Sequence, residues 1–248
     1  MFPQDNSSKA FLLDKNRPQV TRSTSAGMPA VATSSTNIHR IGRMGISVVD
    51  YGVSNIASVL NMYAKLDIEA SPVTSTAEIE NAEKLLLPGV GSFDHGVSAL
   101  LEQGLVEPII ERARSGIPLL GICLGMQLLG KGSAEGELDG LGLIDAYCER
   151  IPSVDESRIR VPHMGWNTIS ARREDQMLTD LPDSTRFYFV HSYHFVCANA
   201  ADVLATSSHG VSFTSMTRRG NVIGAQFHPE KSHKYGMQIL KNFAGLTA

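Results

Sequence analysis

The sequence predicts an α/β fold: a mostly parallel central sheet flanked by helices, with added antiparallel strands. From Gly45 onward, apolar runs of strand length alternate with segments of helical spacing, the pattern of parallel strands joined by helices. The middle of the chain replaces that pattern with shorter, more polar strand-like runs. The 248 residues are enough for one such domain with a sizeable core.

Ile46 to Asp50 reads as a buried strand that ends in a turn at Tyr51-Gly52. Residues 54–66 carry Ile56, Val59, Leu60, Tyr63 and Ala64 at helical spacing. A short strand is expected at Ile68 to Ala70, a short helix from Glu78 to Glu83, and a strand from Lys84 to Leu87 closed by Pro88-Gly89. Helices follow at Phe93 to Leu101 and Val106 to Ser115, then a strand from Ile117 to Ile122 and a helix over 124–131. Residues 141–151 and 158–170 read as antiparallel additions. Strands are expected at Phe187 to Val190, Val203 to Ser207, Phe213 to Thr217 and Asn221 to Phe227, with a tight turn at Arg219-Gly220. Lys234 to Phe243 closes the chain as a helix.

Composition narrows the classes of function. Hydrophobic residues make up 42% and charged residues 19%, with a net charge of −3, the profile of a soluble globular protein. Nothing in that balance points to nucleic acid or an anionic membrane. No apolar run approaches the roughly 20 residues of a membrane-spanning helix. The cysteines are Cys123, Cys148 and Cys197; no CxxC pair suggests a disulfide framework or a zinc site, and a reducing, cytoplasmic setting fits. No histidine or carboxylate spacing suggests a metal, and no cofactor is expected. Residues 1–43 are rich in Ser, Thr, Ala and Pro without apolar periodicity. They read as a disordered leader or an upstream start, with a transit peptide as the lesser alternative, and the domain proper as 44–248.

The chemistry concentrates in three segments, each following the C-terminal end of an expected strand, where open α/β sheets bind ligands. In Gly121-Ile122-Cys123-Leu124-Gly125-Met126-Gln127, glycines two residues either side of Cys123 allow a sharp strand-to-helix turn with the sulfur at its apex. Unpaired N–H groups at a helix start suit a thiolate nucleophile. In Gln226-Phe227-His228-Pro229-Glu230, His228 is the candidate base. Pro229 stiffens the turn, and Glu230 is placed to hold the imidazole. In Leu87-Pro88-Gly89-Val90-Gly91, glycines can present the Val90 N–H as an oxyanion donor beside that of Leu124. Taken singly, Cys123 also reads as a small buried hydrophobe and His228 as a strand-end histidine; the combination favours a Cys-His-Glu triad. His95, His209 and His233 read as surface residues, whereas His163 and His191 lie in apolar segments. Cys148 and Cys197 read as structural.

The pairing of the cysteine elbow with the His-Pro-Glu segment resembles the class I, triad-type glutamine amidotransferases, across residues 44–248. The resemblance implies a flavodoxin-like sheet and hydrolysis of glutamine through a Cys123 thioester, with release of ammonia. It places Gly89, Gly91, Gln127, Ser192 and Tyr193 near the substrate. Asp50-Tyr51-Gly52 with Asn55, the string Val161-Pro162-His163-Met164-Gly165-Trp166-Asn167, Phe189 to Tyr193, and His228 to Ser232 resemble the glutaminase subunits of imidazole glycerol phosphate synthases. That narrower resemblance implies a heterodimer with a (β/α)8-barrel cyclase. It assigns Asn55, Pro162, Met164, Trp166, Tyr188 and Lys231 to the partner face; without it, Trp166 fits a core equally well. Ser54 stands where that family usually has glycine, and Ala134 where an acid is common. Service to a different synthase, or a catalytically silent regulatory role, are the alternatives.

Overall fold

The computed structural model describes residues 45–152 and 159–247; the expectations for residues 1–43 and for the 43/44 boundary fall outside them. The chain runs β1 (Ile46–Val49), α1 (Ile56–Lys65), β2 (Ala70–Val73), α2 (Thr76–Glu80), β3 (Leu85–Gly89), α3 (Phe93–Glu102), α4 (Val106–Arg114), β4 (Leu119–Cys123) and α5 (Leu124–Leu128). It continues through β5 (Gly132–Ser133), β6 (Ala146–Arg150), β7 (His163–Thr168), β8 (Ser170–Ala171), β9 (Arg186–His191), β10 (Tyr193–Cys197), β11 (Val203–His209), β12 (Val211–Arg219), β13 (Val222–Ala225) and α6 (His233–Ala244).

The main sheet has the order β2-β1-β3-β4-β13-β12-β10-β6-β5, with β11 and β8 branching from β12. Strands β2, β1, β3, β4 and β13 are mutually parallel, and the antiparallel pairs begin at β13–β12. A separate antiparallel ribbon pairs β7 with β9, His163 opposite His191 and Trp166 opposite Tyr188. Strands β1, β3, β4 and β13 are covered on both faces, which explains why they read as continuous apolar runs. Alternate residues feed two cores: Val49, Leu85, Leu87 and Leu119 pack with Phe93 and Ile109. Val48, Leu86 and Leu120 pack with Ile239, Leu240 and Phe243 on the other side.

Several boundaries differ from those expected. The second strand lies at Ala70–Val73 rather than 68–70, because its backbone pairs in register with all four residues of β1. The second helix starts earlier, at Thr76, because Ser75 caps it and Glu78 closes a capping box. Tyr193–Cys197, where no strand is expected from sequence, is a strand of its own paired with β6.

What matters for the site is adjacency. Strands β3, β4 and β13 are neighbours. Their C-terminal ends therefore bring the glycine loop, the cysteine elbow and the His-Pro-Glu turn to one edge of the sheet.

Candidate active site

Strand β4 ends on Cys123 with φ 54° and ψ −110°, a left-handed conformation that costs a non-glycine residue about 1–3 kcal/mol. The flanking glycines let that turn exist. A Cβ on Gly121 would lie 2.6 Å from the Gly125 carbonyl oxygen, and one on Gly125 would lie 1.8 Å from the Leu87 oxygen. The turn therefore packs backbone against backbone, and the sulfur is left to face the cleft. Cys123 Sγ sits 3.9 Å from the Val190 carbonyl oxygen and 3.9 Å from Gln226 Nε2.

The His-Pro-Glu segment forms a 3-10 turn at Pro229–Lys231. It is tied down at both ends. His228 donates its backbone N–H to Tyr188 O at 2.9 Å, and Ser232 Oγ donates to His228 O at 2.6 Å while accepting from Tyr188 N. His228 Nδ1 and Glu230 Oε1 are 2.7 Å apart, with both side chains buried. The carboxylate can only accept here, so it fixes the proton on Nδ1. His228 Nε2 is buried and makes no hydrogen bond within the protein. Burial alone pulls the His228 pKa down, but interaction with Cys123 and with Glu230 outweighs it and holds the pKa up at about 9. Cys123 thus acts on the ring although no geometrically complete hydrogen bond joins them. A raised histidine pKa stabilises the fold fully below the ordinary value of 6.5, and that contribution is lost as pH rises through 9.

Beside the sulfur lies a cleft of about 330 Å³ lined by Val90, Gly91, Cys123, Gln127, Glu135, Pro162, Val190, His191, Ser192 and Tyr193. That size is at the lower end of ordinary ligand pockets, roughly 300–1,000 Å³. Gln127 does not reach freely into it: Nε2 donates to Tyr193 O and to Gln226 Oε1, both at 3.1 Å. Gly89 is not among the lining residues; it is buried, and a Cβ there would lie 2.5 Å from the Tyr51 hydroxyl. The Val90 N–H, expected to face the cavity, instead donates to Val53 O at 2.9 Å. Residue type sets how easily a peptide can turn, not which way it is turned, so sequence could not foresee this.

The residues assigned to a partner face fall into two groups. Met164 is 63% exposed and Trp166 41% exposed, so the tryptophan is not a core residue. Asn55, Pro162 and Lys231 are also exposed. Asn55 additionally caps α1 through Ser58 N, and Pro162 also lines the cleft. Tyr188 is half-buried and meets Trp166 edge-on at 5.9 Å. Four residues of the site carry no role in the sequence analysis. Gln226, fully buried, opens the string that ends in His-Pro-Glu; a glutamine in an apolar strand was the available signal. Glu135 supplies the carboxylate among the cleft residues, next to the exposed Ala134 that stands where an acid is common. Val190 closes an expected strand and His191 follows it, within the stretch Phe189 to Tyr193 that carries part of the resemblance, but neither carries a role of its own there. His209, expected at the surface, is half-buried and stacks on His163 at 4.2 Å. Cys148 is fully buried, and burial pushes its thiol pKa up, as suits a structural residue.

A Cys elbow beside a buried His–Glu pair has clear counterparts among known proteins. A sequence model of the family described as glutamine amidotransferase class-I matches residues 47–245. The chain belongs to that family. It is 48% identical over 203 residues to imidazole glycerol phosphate synthase subunit HisH 2 of Pseudomonas aeruginosa, covering 82% of this chain and 100% of that one. It is 42% identical to the protein of the same name from Methanococcus maripaludis, covering 80% of this chain and 98% of the relative. Among solved structures, a crystal structure titled only glutamine amidotransferase superposes with a TM-score of 0.64 at 22% identity, over 81% of this chain and 99% of that one. A chain of PurLQS from Thermotoga maritima gives 0.61 at 18% identity, over 80% and 96%. At those identities the two structures speak for the fold alone, and they agree with the α/β architecture. Among the described residues, no helix is long and apolar enough to cross a membrane, and no cluster of three or more His, Cys, Asp or Glu side chains is arranged to hold a metal.

Proposed function

We propose that this chain is the glutaminase subunit of an imidazole glycerol phosphate synthase. In this reading, residues 44–248 are the amidotransferase domain. The support is that the Pseudomonas aeruginosa relative, matched along its whole length at 48% identity, is named a subunit of imidazole glycerol phosphate synthase, that the chain belongs to the class I glutamine amidotransferases, and that the His228–Glu230 pair stands at the same sheet edge as the Cys123 elbow.

The Cys123 thiolate attacks the side-chain amide carbon of glutamine. The oxyanion is held by the Leu124 N–H and, once its bond to Val53 O opens, by the Val90 N–H, each donor contributing about 3 kcal/mol. His228, protonated on both nitrogens, gives its Nε2 proton to the departing nitrogen, and ammonia leaves a thioester on Cys123. The neutral ring then takes a proton from water, the hydroxide adds to the thioester, and collapse releases glutamate and restores the thiolate–imidazolium pair. The net reaction is glutamine plus water to glutamate plus ammonia. Gln127 and Gly91 line the cleft, Ser192 and Tyr193 form a wall of it, and the Glu135 carboxylate suits the α-ammonium group of glutamine.

Ammonia passes to a (β/α)8-barrel cyclase, which makes imidazole glycerol phosphate and an aminoimidazole carboxamide ribotide. In bulk water at neutral pH ammonia is mostly protonated and not nucleophilic, so a closed path preserves its reactivity. Asn55, Pro162, Met164, Trp166, Tyr188 and Lys231 meet that partner. The three thiols are free, in keeping with a cytoplasmic setting.

Trp166→Ala is expected to weaken binding of the cyclase at least tenfold, with stability changed by less than about 1 kcal/mol, because the ring is a surface anchor. Titration calorimetry and thermal melts measure the two effects; a loss of stability large enough to account for lost binding contradicts the assignment. Glu230→Gln is expected to lower the His228 pKa, since the anion favouring the imidazolium is gone. The alkaline limb of the glutamine-hydrolysis profile then moves from near pH 9 toward neutral. Initial rates across the alkaline range check it, and an unmoved limb removes Glu230 from the triad.

A further inference from the structure

Resting on the reading just given, we propose that Asn167, His163 and His191 are positioning residues, joined in a one-way hydrogen-bond chain that sets the Ser192–Tyr193 wall of the glutamine cleft. The chain begins at Asn167. Its Nδ2 donates to Ser208 O at 2.9 Å while its Oδ1 accepts from Thr168 N at 2.9 Å, so the amide cannot be turned over without losing both. The same Nδ2 faces His163 Nε2 at 3.3 Å, which makes that nitrogen the acceptor. At the other end, His191 Nδ1 lies 2.8 Å from Tyr193 O. A carbonyl only accepts, so His191 carries its proton on Nδ1 and leaves Nε2 as an acceptor. His163 Nδ1, 3.1 Å from His191 Nε2, must then be the donor. Both ends dictate the same answer: each ring is neutral with its proton on Nδ1.

Burial keeps them neutral. Desolvation, with His209 against His163 and with His163, His194 and His209 against His191, draws the two pKa values down to about 4 and about 3, although the bond to Tyr193 O opposes the shift at His191. The groups facing these rings are imidazoles from β7, β10 and β11, and no carboxylate acts on either.

The chain does not stop at Tyr193. Its carbonyl also accepts from Gln127 Nε2, which reaches Gln226 Oε1, and Gln226 Nε2 contacts Cys123 Sγ at 3.9 Å. Residues of β7 alternate faces: Met164 and Trp166 are exposed, whereas His163 is buried and Asn167 half-buried. The inward-facing side of this ribbon therefore reaches, through fixed proton positions, the carbonyl on which the cleft wall and Gln127 both hang. The triad mechanism does not use these groups.

The test has two parts, on the full chain and on the full chain mixed with cyclase. In the first, ¹⁵N-edited NMR of the imidazoles should show His163 and His191 both protonated on Nδ1 only, still neutral at pH 6. Either ring protonated on Nε2 at neutral pH overturns the proposal, whatever the enzyme does. In the second, His163→Phe keeps the ring volume but leaves His191 Nε2 without a donor. KM for glutamine should rise about tenfold with kcat changed far less. His163→Asn, whose amide can donate from nearly the Nδ1 position, should recover most of that loss. Equal KM values for wild type and His163→Phe, or recovery absent in His163→Asn despite a native melting temperature, overturn the positioning role. A wild-type chain with both expected tautomers but no glutamine hydrolysis would refute the function proposed above and, with it, any role of this chain in a glutamine cleft.

Discussion

Cys123→Ala is expected to abolish glutamine-dependent synthesis by the complex while synthesis from added ammonium salts continues. In the mechanism proposed, the Cys123 thiol forms the covalent bond to substrate, and no other cysteine is placed to replace it: Cys148 is fully buried and Cys197 sits in β10 against Thr217. Removing a nucleophile from an intact triad costs on the order of 10⁴-fold or more. Alanine is smaller than cysteine and lacks only the sulfur, and residue 123 keeps its strained φ of 54° in a turn dictated by its glycine neighbours. The cyclase, a separate chain, keeps its own chemistry and needs only ammonia. Rates with each nitrogen source, measured on the same preparation, check this. Equal loss of both would mean that the cysteine matters for assembly rather than for hydrolysis.

Gly125→Ala is expected to disable the site by geometry alone. The added methyl would lie 1.8 Å from the Leu87 carbonyl oxygen, far inside contact distance, and the obstacle is backbone in a central strand. β3 pairs with β1 on one side and β4 on the other, so it cannot yield without disturbing both. The elbow must give way instead. A displacement of about 1 Å at a reacting atom costs on the order of 10²-fold in rate, and overpacking of this kind costs about 1–3 kcal/mol or more in stability. Glutamine hydrolysis and a thermal melt together check it; a variant with native rate and native melting temperature would mean the elbow is looser than described.

How much of this was legible in the sequence differs from element to element. The elbow was legible because close backbone packing admits only glycine at 121 and 125, and glycine at those spacings around a cysteine is visible as text. The His-Pro-Glu turn was legible because proline announces it. Strands β1, β3, β4 and β13 were legible because burial on both faces writes an unbroken apolar run, whereas the exposed edge strand β2 was expected at the wrong residues. Strand β10 was not: Tyr193, His194 and Cys197 are only half-buried and Val196 is exposed, so no alternation marks it. The direction of the Val90 peptide, the partners of Gln226 and the His163–His191 pair were not legible either. Each depends on the register between strands far apart in the chain, and register is fixed by the assembled sheet rather than by neighbours in sequence.

Every step above requires a thiolate at residue 123 that accepts the glutamine acyl group. The most direct measurement is the intact mass of the chain after exposure to an electrophilic glutamine analogue, with glutamine present as a competitor in a parallel sample. The expected result is a single adduct, mapped to Cys123, slowed by glutamine and absent in Cys123→Ala. Modification at another cysteine, or labelling of Cys123 that glutamine does not slow, would contradict it.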